Sequence, residues 1–582
     1  MEAGAATRRG FMDEQSANIV GFKWVWQQLT PVTPYGRELK NQTEPYLPGE
    51  EEALRRELDT VEAAVWGWQA TPASFRGILG LLAQVKDLRG SLVKAQAGGV
   101  LDTVELYEIK RFVLLVREII VALAKSGWQY PPELQPVPLG ELEKALDPSG
   151  KGERSFYIDE SHSRALARIR LKRREGEKAY REERTRLYEE VKAAVGLAPN
   201  YRGELTVSKA DSAALEAARR HPQVGYVRET EKHVYFQVKP TPRMMEIEGE
   251  LEQIKQREYR EEARVRAGLS RVVARCSGTL TENMGRIGAL DLLIAKAELA
   301  RRLRCTKPEV LPGNEAGPGM VLVGARHPVV EEALSKRGRS FTPVTIELDE
   351  GATVMTGPNM GGKSVTLKTI GLCTAMAQYG LMVPALRFAF KLRGFVFFSQ
   401  LDEGASVGLS SFGAEVTHLN RALARRSERG LLLLDELTRG TNPSEGFAIS
   451  AAVLQVLRDT GCITVFASHY DGLAQAGGAA HWQVKGLSRE DIAALNQCPE
   501  RGVEWLQEHM DYRLERVEEG RETPKDAIAV ARALGLDHGV LELAEAILAR
   551  RGGVNGGMVR GGLELGPIAG GEGERSCAAH CG

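Results

Sequence analysis

Along most of the first 310 positions, apolar residues recur three or four apart, the spacing of amphipathic helices. The run IVGFKWVWQQL opens this pattern at Ile19, and blocks at 50–68, 71–97 and 101–125 continue it. Residues 19–150 therefore read as a helical domain, with Trp24, Trp26, Trp66 and Trp68 expected in its core. A Pro/Gly-rich joint follows at 131–152. Beyond it, 159–195 and 244–275 combine dense Glu, Lys and Arg with thinly spaced Leu, Ile, Val and Tyr. That composition suits long helices packed along one narrow seam. Between them the period changes to strand-like runs, ELTVS and HVYFQVKP, so two helical arms carry a small mixed tip. A further helix is expected at 281–304.

From Met320 strand and helix alternate. VLVGARHPVVEEAL, VTIELDEG and ATVMTG come first; strands follow at 394–400, 431–435 and 463–468, with helices at 413–426, 445–460 and 488–495. Such alternation predicts a mostly parallel sheet wrapped by helices. The chain thus reads as multidomain, α plus α/β. The expected divisions are a disordered leader at 1–18, the helical core at 19–150 and the arms at 151–310 with their tip at about 200–242. An α/β domain at 311–490, a C-terminal helical segment at 491–551 and a disordered Gly-rich tail at 552–582 complete it.

Composition narrows this picture in a few places. At 582 residues the chain exceeds one hydrophobic core. Lys plus Arg and Asp plus Glu are both 77, so net charge argues neither for nor against a polyanionic partner. Local clusters decide instead. Arg168, Arg170, Lys172, Arg173 and Arg174 crowd one arm, and Arg219, Arg220, His221 and Arg228 lie near the tip. Acids interleave with the first cluster, so a solvated face laced with i,i+4 pairs stands beside a phosphate-contacting one. No run of 18 apolar residues and no signal-peptide h-region occur, which leaves no membrane partner in view. Seven scattered cysteines, an odd number, suit a reducing cytoplasm. Cys577, His580 and Cys581 sit close together near the end, but structural zinc wants four ligands and a packed surround.

The candidate chemistry gathers at 353–370, TVMTGPNMGGKSVTLKTI. Gly357, Pro358, Asn359, Met360, Gly361, Gly362, Lys363 and Ser364 fit the P-loop spacing, with an apolar strand before them and a helix opening at Val365. Glycines let backbone N–H groups turn inward, and the helix N-terminus adds positive potential. Lys363 is placed to neutralise the β- and γ-phosphates and Ser364 to hold Mg²⁺. LLLLDE at 431–436 is an apolar strand ending in two acids. Asp435 would complete the Mg²⁺ shell, and Glu436 would orient or deprotonate the attacking water. His469, in ASHY after the next apolar strand, is placed to touch the γ-phosphate or the water.

TGPNMGGKS, LLLLDELTRGT and ASHY together resemble the MutS ATPases, whose nucleotide domain belongs to the wider ABC class. ARHPVVE at 325–331 is similar to the family's entry into that domain. The resemblance implies that ATP and Mg²⁺ are the cofactors and that Phe341 stacks on adenine. It also implies a homodimer with shared sites, in which Ser410 of the SSFGAE segment reaches the second copy's γ-phosphate and 439–442 crosses the same interface. The arms become levers, the tip becomes clamp-like, and 491–551 becomes a dimerisation segment.

There are departures. The core begins near residue 19, where a mismatch-repair MutS carries two further domains, and no Phe-x-Glu wedge occurs. Pro524-Lys525-Asp526-Ala527-Ile528 stands where the family shows Ser-Tyr-Gly-Ile, and about 30 Gly-rich residues after Arg551 leave no room for an appended nuclease. One reading is an ATP-driven clamp on duplex or branched DNA, in repair or recombination, without mismatch reading. An alternative is an ATP-driven chaperone that reactivates an adenosylcobalamin-dependent amino-mutase. A third is a switch that binds ATP and turns it over poorly, against which Lys363, Ser364, Asp435, Glu436 and His469 all stand intact.

Overall fold

The computed structural model describes residues 10–150, 152, 155–358, 361–399, 411–438, 441–488, 490, 508–518, 528, 531–532 and 535–552. The helical domain is built on Thr103–Ser126. Its start is fixed by a capping box: Asp102 accepts from the Val104 and Glu105 amides at 2.8 Å, and Glu105 accepts from the Asp102 amide at 2.8 Å. Gly127 ends it in the left-handed conformation. Leu106, Ile109, Phe112, Val113, Val116 and Ile119 follow the helical period into the core. Helix Ser277–Arg302 closes that core and packs on both Pro34–Gln42 and Glu51–Ala70. Its Asp291 is fully buried and accepts from the Val32 amide (3.1 Å), the Thr33 amide (2.7 Å) and the Thr33 hydroxyl (2.7 Å). Of the four tryptophans expected inside, Trp66 is instead 63% exposed.

The arms are Arg164–Val195 and Pro242–Arg275, helices of 32 and 34 residues running side by side. At 1.5 Å per residue each spans about 50 Å. Glu258 is the buried polar centre of their seam. It is 8% exposed and accepts from Arg170 at 2.7 Å and Arg173 at 3.0 Å. Arg170 also reaches Glu262 (2.6 Å), Arg173 reaches Glu177 (2.9 Å), and Arg174 pairs with Glu160. The basic cluster is thus largely spent on ion pairs, while Arg168 and Lys172 stay exposed. The tip is a three-stranded antiparallel sheet with His233–Val238 between Glu204–Ser208 and Val224–Glu229. Helix Ser212–Arg220 covers its apolar face, where Leu205, Val207, Val234 and Phe236 are buried.

Two sheets make the α/β part. The larger runs, in order, Asp511–Arg516, Ala480–Gly486, Gly351–Thr356, Ile463–Ala467, Leu431–Asp435 and Val396–Phe398. All pairings in it are parallel except that of Asp511–Arg516, which lies antiparallel on Ala480–Gly486. Leu431, Leu432, Leu433 and Leu434 are fully buried, as a strand covered on both faces demands. A second sheet joins Glu309–Val310, Arg387–Phe390, Met320–Ala325 and Val344–Leu348. The reading from periodicity did not include that sheet, nor strands Ala480–Gly486 and Asp511–Arg516. The helix expected at 413–426 runs Ser411–Ala424, and of the C-terminal segment His538–Gly552 is helical. Cys577, His580 and Cys581 lie outside the described residues, as do residues 524–527.

The leader expected at 1–18 is corrected for residues 10–18. Asp13 caps helix Glu14–Ile19 by accepting from the Ser16 amide at 2.6 Å. The Phe11 carbonyl accepts from the Val396 amide at 2.7 Å, and the Ser16 hydroxyl accepts from the Phe398 amide at 3.1 Å. The physical reason is the edge of the large sheet: strand Val396–Phe398 offers unpaired amides that a passing chain can satisfy. The segment continues as helix Phe22–Gln28, whose Phe22 and Trp26 rings lie 4.8 and 5.2 Å from that of Tyr379. Residues 11–29 therefore share a core with the α/β sheets, whereas the periodicity assigns 19–29 to the helical domain.

Phe11 is fully buried in that core. Phe11→Ala is expected to destabilise the protein by about 3–5 kcal/mol, read as an earlier urea transition. A loss below about 1 kcal/mol would show that the segment only rests on the sheet.

Candidate active site

Parallel strands deliver their last residues to one edge, and here four strand ends are stitched together. The Ser468 amide donates to the Met355 carbonyl at 3.0 Å, and the Glu436 amide donates to the Ala467 carbonyl at 3.0 Å. The Asp435 amide donates to the Ser399 hydroxyl at 2.9 Å, and the Ser399 amide donates to the Leu433 carbonyl at 2.9 Å. Asp435, Glu436 and His469 are thereby brought to the edge from which the glycine loop departs.

The loop leaves strand Gly351–Thr356 and enters helix Lys363–Gln378. Gly357 has φ +143°, and a Cβ there would lie 2.8 Å from the Cβ of Val484. Gly362 caps the helix at φ +83°, a conformation that leaves the first-turn amides facing outward. Lys363, 4% exposed, folds back over the loop and donates to the carbonyls of Gly357 (2.8 Å) and Pro358 (3.2 Å). Its Nζ lies 3.9 Å from a Glu436 carboxylate oxygen. Ser364 follows it in the first turn. The structure thus brings Lys363 to Glu436 and places Ser364 and Asp435 on the same edge. His469 is exposed, its ring 4.7 Å from that of Tyr470. Asn359, Met360 and Ser410 lie outside the described residues.

Beside the loop opens a cleft of about 480 Å³. Phe341 lines it with Gly362, Val365, Thr366, Met510 and Tyr512. An apolar slot with two aromatic rings adjoins an amide-rich helix N-terminus, a shape that suits a flat ring joined to a polyanion. Phe341 and Val365, both expected in the site, fall in this slot. Tyr512 and Met510 were missed because Asp511–Arg516 was not read as a strand; the alternation of DYRLER is the signal that marks it. His481 was missed as well. Its Nε2 meets the Thr356 hydroxyl at 2.8 Å next to Gly357, and burial pushes its pKa down. His327, of the ARHP run, turns out to be structural. It is 2% exposed with Nε2 against the Val20 carbonyl at 3.1 Å, and burial lowers its pKa to about 4.

The model of MutS domain V matches residues 353–550. A protein named endonuclease MutS2 from Pediococcus pentosaceus is 32% identical over 307 residues, 52% of this chain and 36% of that protein. Proteins of the same name from a Geobacillus species and from Shouchella clausii are 28% and 29% identical, each over 80% of this chain and 57% of the relative. The chain thus spans between about a third and somewhat over half of these relatives' length. These names give no support to the amino-mutase alternative. No helix among the described residues is long and apolar enough to cross a membrane. Residues 353–550 thus match MutS domain V, and over 80% of its length the chain is similar to proteins named endonuclease MutS2.

Proposed function

We propose that this chain binds ATP with Mg²⁺ and hydrolyses it at sites shared by two copies, and that the cycle moves the arms on DNA. The observation that carries the first part is the convergence of Lys363, Ser364, Asp435 and Glu436 on one sheet edge beside the Phe341–Tyr512 cleft. The adenine ring enters the cleft against Phe341. The triphosphate lies at the N-terminus of helix Lys363–Gln378, met by its first-turn amides and by Lys363, whose ammonium exchanges the Gly357 and Pro358 carbonyls for phosphate oxygens.

The donor set fits a hard cation, since a hydroxyl and a carboxylate are both oxygen ligands. Ser364 and Asp435 would hold Mg²⁺, which supplies neutralisation of charge on the transferring phosphoryl group. Glu436 holds the attacking water and takes its proton as the water oxygen bonds to the γ-phosphorus. The bond from that phosphorus to the bridging oxygen breaks, and ADP departs. His469 lies at the adjoining strand end, where it reports whether the γ-phosphate is present. By family resemblance Ser410 reaches the second copy's nucleotide, so one site is completed by two chains.

The endonuclease name of the relatives supports a nucleic-acid client. The arms offer Arg168, Lys172 and Arg219 as exposed cations outside the ion-pair lattice. Arg228, stacked 4.5 Å over the Tyr235 ring on the tip sheet, adds a fourth.

Glu436→Gln should lower phosphate release by about 100-fold or more while ATP affinity stays within a few-fold, measured by turnover and by titration with a fluorescent ATP analogue. Normal turnover in this variant would remove Glu436 from the base role. Phe341→Ala should weaken ATP binding by about 3- to 10-fold with kcat retained; unchanged affinity would place the base elsewhere. Binding to duplex or branched DNA should fall steeply with salt, and Arg168→Ala with Lys172→Ala should reduce the log–log slope by about one per lost contact. Absence of binding at about 50 mM salt would end the DNA reading.

A further inference from the structure

The turn that carries Glu436 is strained. Glu436 has φ +48° and Thr438 φ +72°, two of the four non-glycine residues with positive φ among the described residues. For a β-branched residue such as Thr438 this region is a genuine outlier. Strain of that kind persists only where the surroundings over-determine it. One restraint is the Glu436 amide on the Ala467 carbonyl, already part of the strand-end stitching. The other comes from a different element. On helix Ser411–Ala424 the Glu415 carboxylate accepts from the Thr438 amide at 3.0 Å. Thr438 is 1% exposed, so this charge-assisted bond is shielded from water.

The helix that presents Glu415 is itself held in place. One turn on, His418 Nε2 lies 3.0 Å from an Asp13 carboxylate oxygen, and its ring packs 4.5 Å from the Phe397 ring. Glu415 is therefore offered from a fixed platform to a turn that would otherwise relax. A relaxed turn would swing the Glu436 side chain, two residues before Thr438, away from Lys363.

We infer that Glu415 is a positioning residue for the hydrolytic step: by gripping the Thr438 amide it holds the left-handed turn that aims Glu436 at the attacking water. It touches neither substrate nor the reacting atoms. This rests on the reading of Glu436 as the base.

The test compares Glu415→Ala and Glu415→Gln in the full chain, recording kcat, KM for ATP and thermal unfolding. Glutamine keeps an acceptor oxygen at the same reach. Glu415→Ala should lower kcat by about 100-fold with KM within about threefold, and Glu415→Gln should recover kcat to within about fivefold of the unsubstituted chain. Recovery by Gln is the readout a merely structural role would not give. Should the alanine variant fail to fold, Glu415→Met, of similar length but without an oxygen, replaces it. A kcat for Ala or Met close to that of the unsubstituted chain, KM rising in step, or Gln no better than Ala or Met would each overturn the inference. Glu436→Gln is run alongside. Normal turnover there sinks both readings, whereas lost turnover there with unaffected Glu415→Ala sinks this one alone.

Discussion

Everything in the candidate site depends on one constraint: neighbouring parallel strands must end together. Because Asp435 pairs in register with Ala467, and Ala467 with Met355, the acids after one strand and the glycine loop after another arrive at the same height. Backbone bonds between those ends then fix their separation. No side chain in the site could substitute for this. A slip of one residue in strand Leu431–Asp435 would turn the carboxylates to the other face and bury a leucine in their place.

The second organising fact is that the core of the α/β domain is not built from its own stretch of sequence alone. Residues 11–29 supply an edge cover and an aromatic cluster around Tyr379, then lead directly into helix Pro34–Gln42, which Asp291 anchors to the helical domain. The two domains are thus joined by a continuous packed segment as well as by the chain that leaves helix Ser277–Arg302 for strand Glu309–Val310. A shift at the sheet edge has a short mechanical path to the helices that root the arms. Glu258, buried between Arg170 and Arg173, ties the two arm helices together along their seam.

The glycine loop, the LLLLDE strand and the order of alternating elements were legible because each rests on local chemistry: glycine at forced φ, a continuous apolar run, a cap. The arms and their tip were legible for the same reason, through a change of period. The slot beside Gly362 was half legible. Phe341 followed from family resemblance, whereas Tyr512 depends on an antiparallel edge strand more than 150 residues downstream. Residues 10–18 misled because a short polar-looking run says nothing about an open sheet edge far along the chain. Glu415 was read only as part of a motif, since its hydrogen bond to a strained amide belongs to tertiary geometry.

The edge cover has a consequence for the order in which this protein is made. The Ser16 hydroxyl waits for an amide 382 positions later, and Asp291 binds Thr33 across 258. During synthesis at about 5–20 residues per second, the first segment emerges long before either partner. Helices between Glu51 and Leu146 can form from near neighbours, but their closing helix Ser277–Arg302 and the sheet edge arrive late. Contacts of such sequence separation slow folding. The apolar residues Phe11, Met12, Phe22 and Trp26 are therefore made well before the α/β core that buries them.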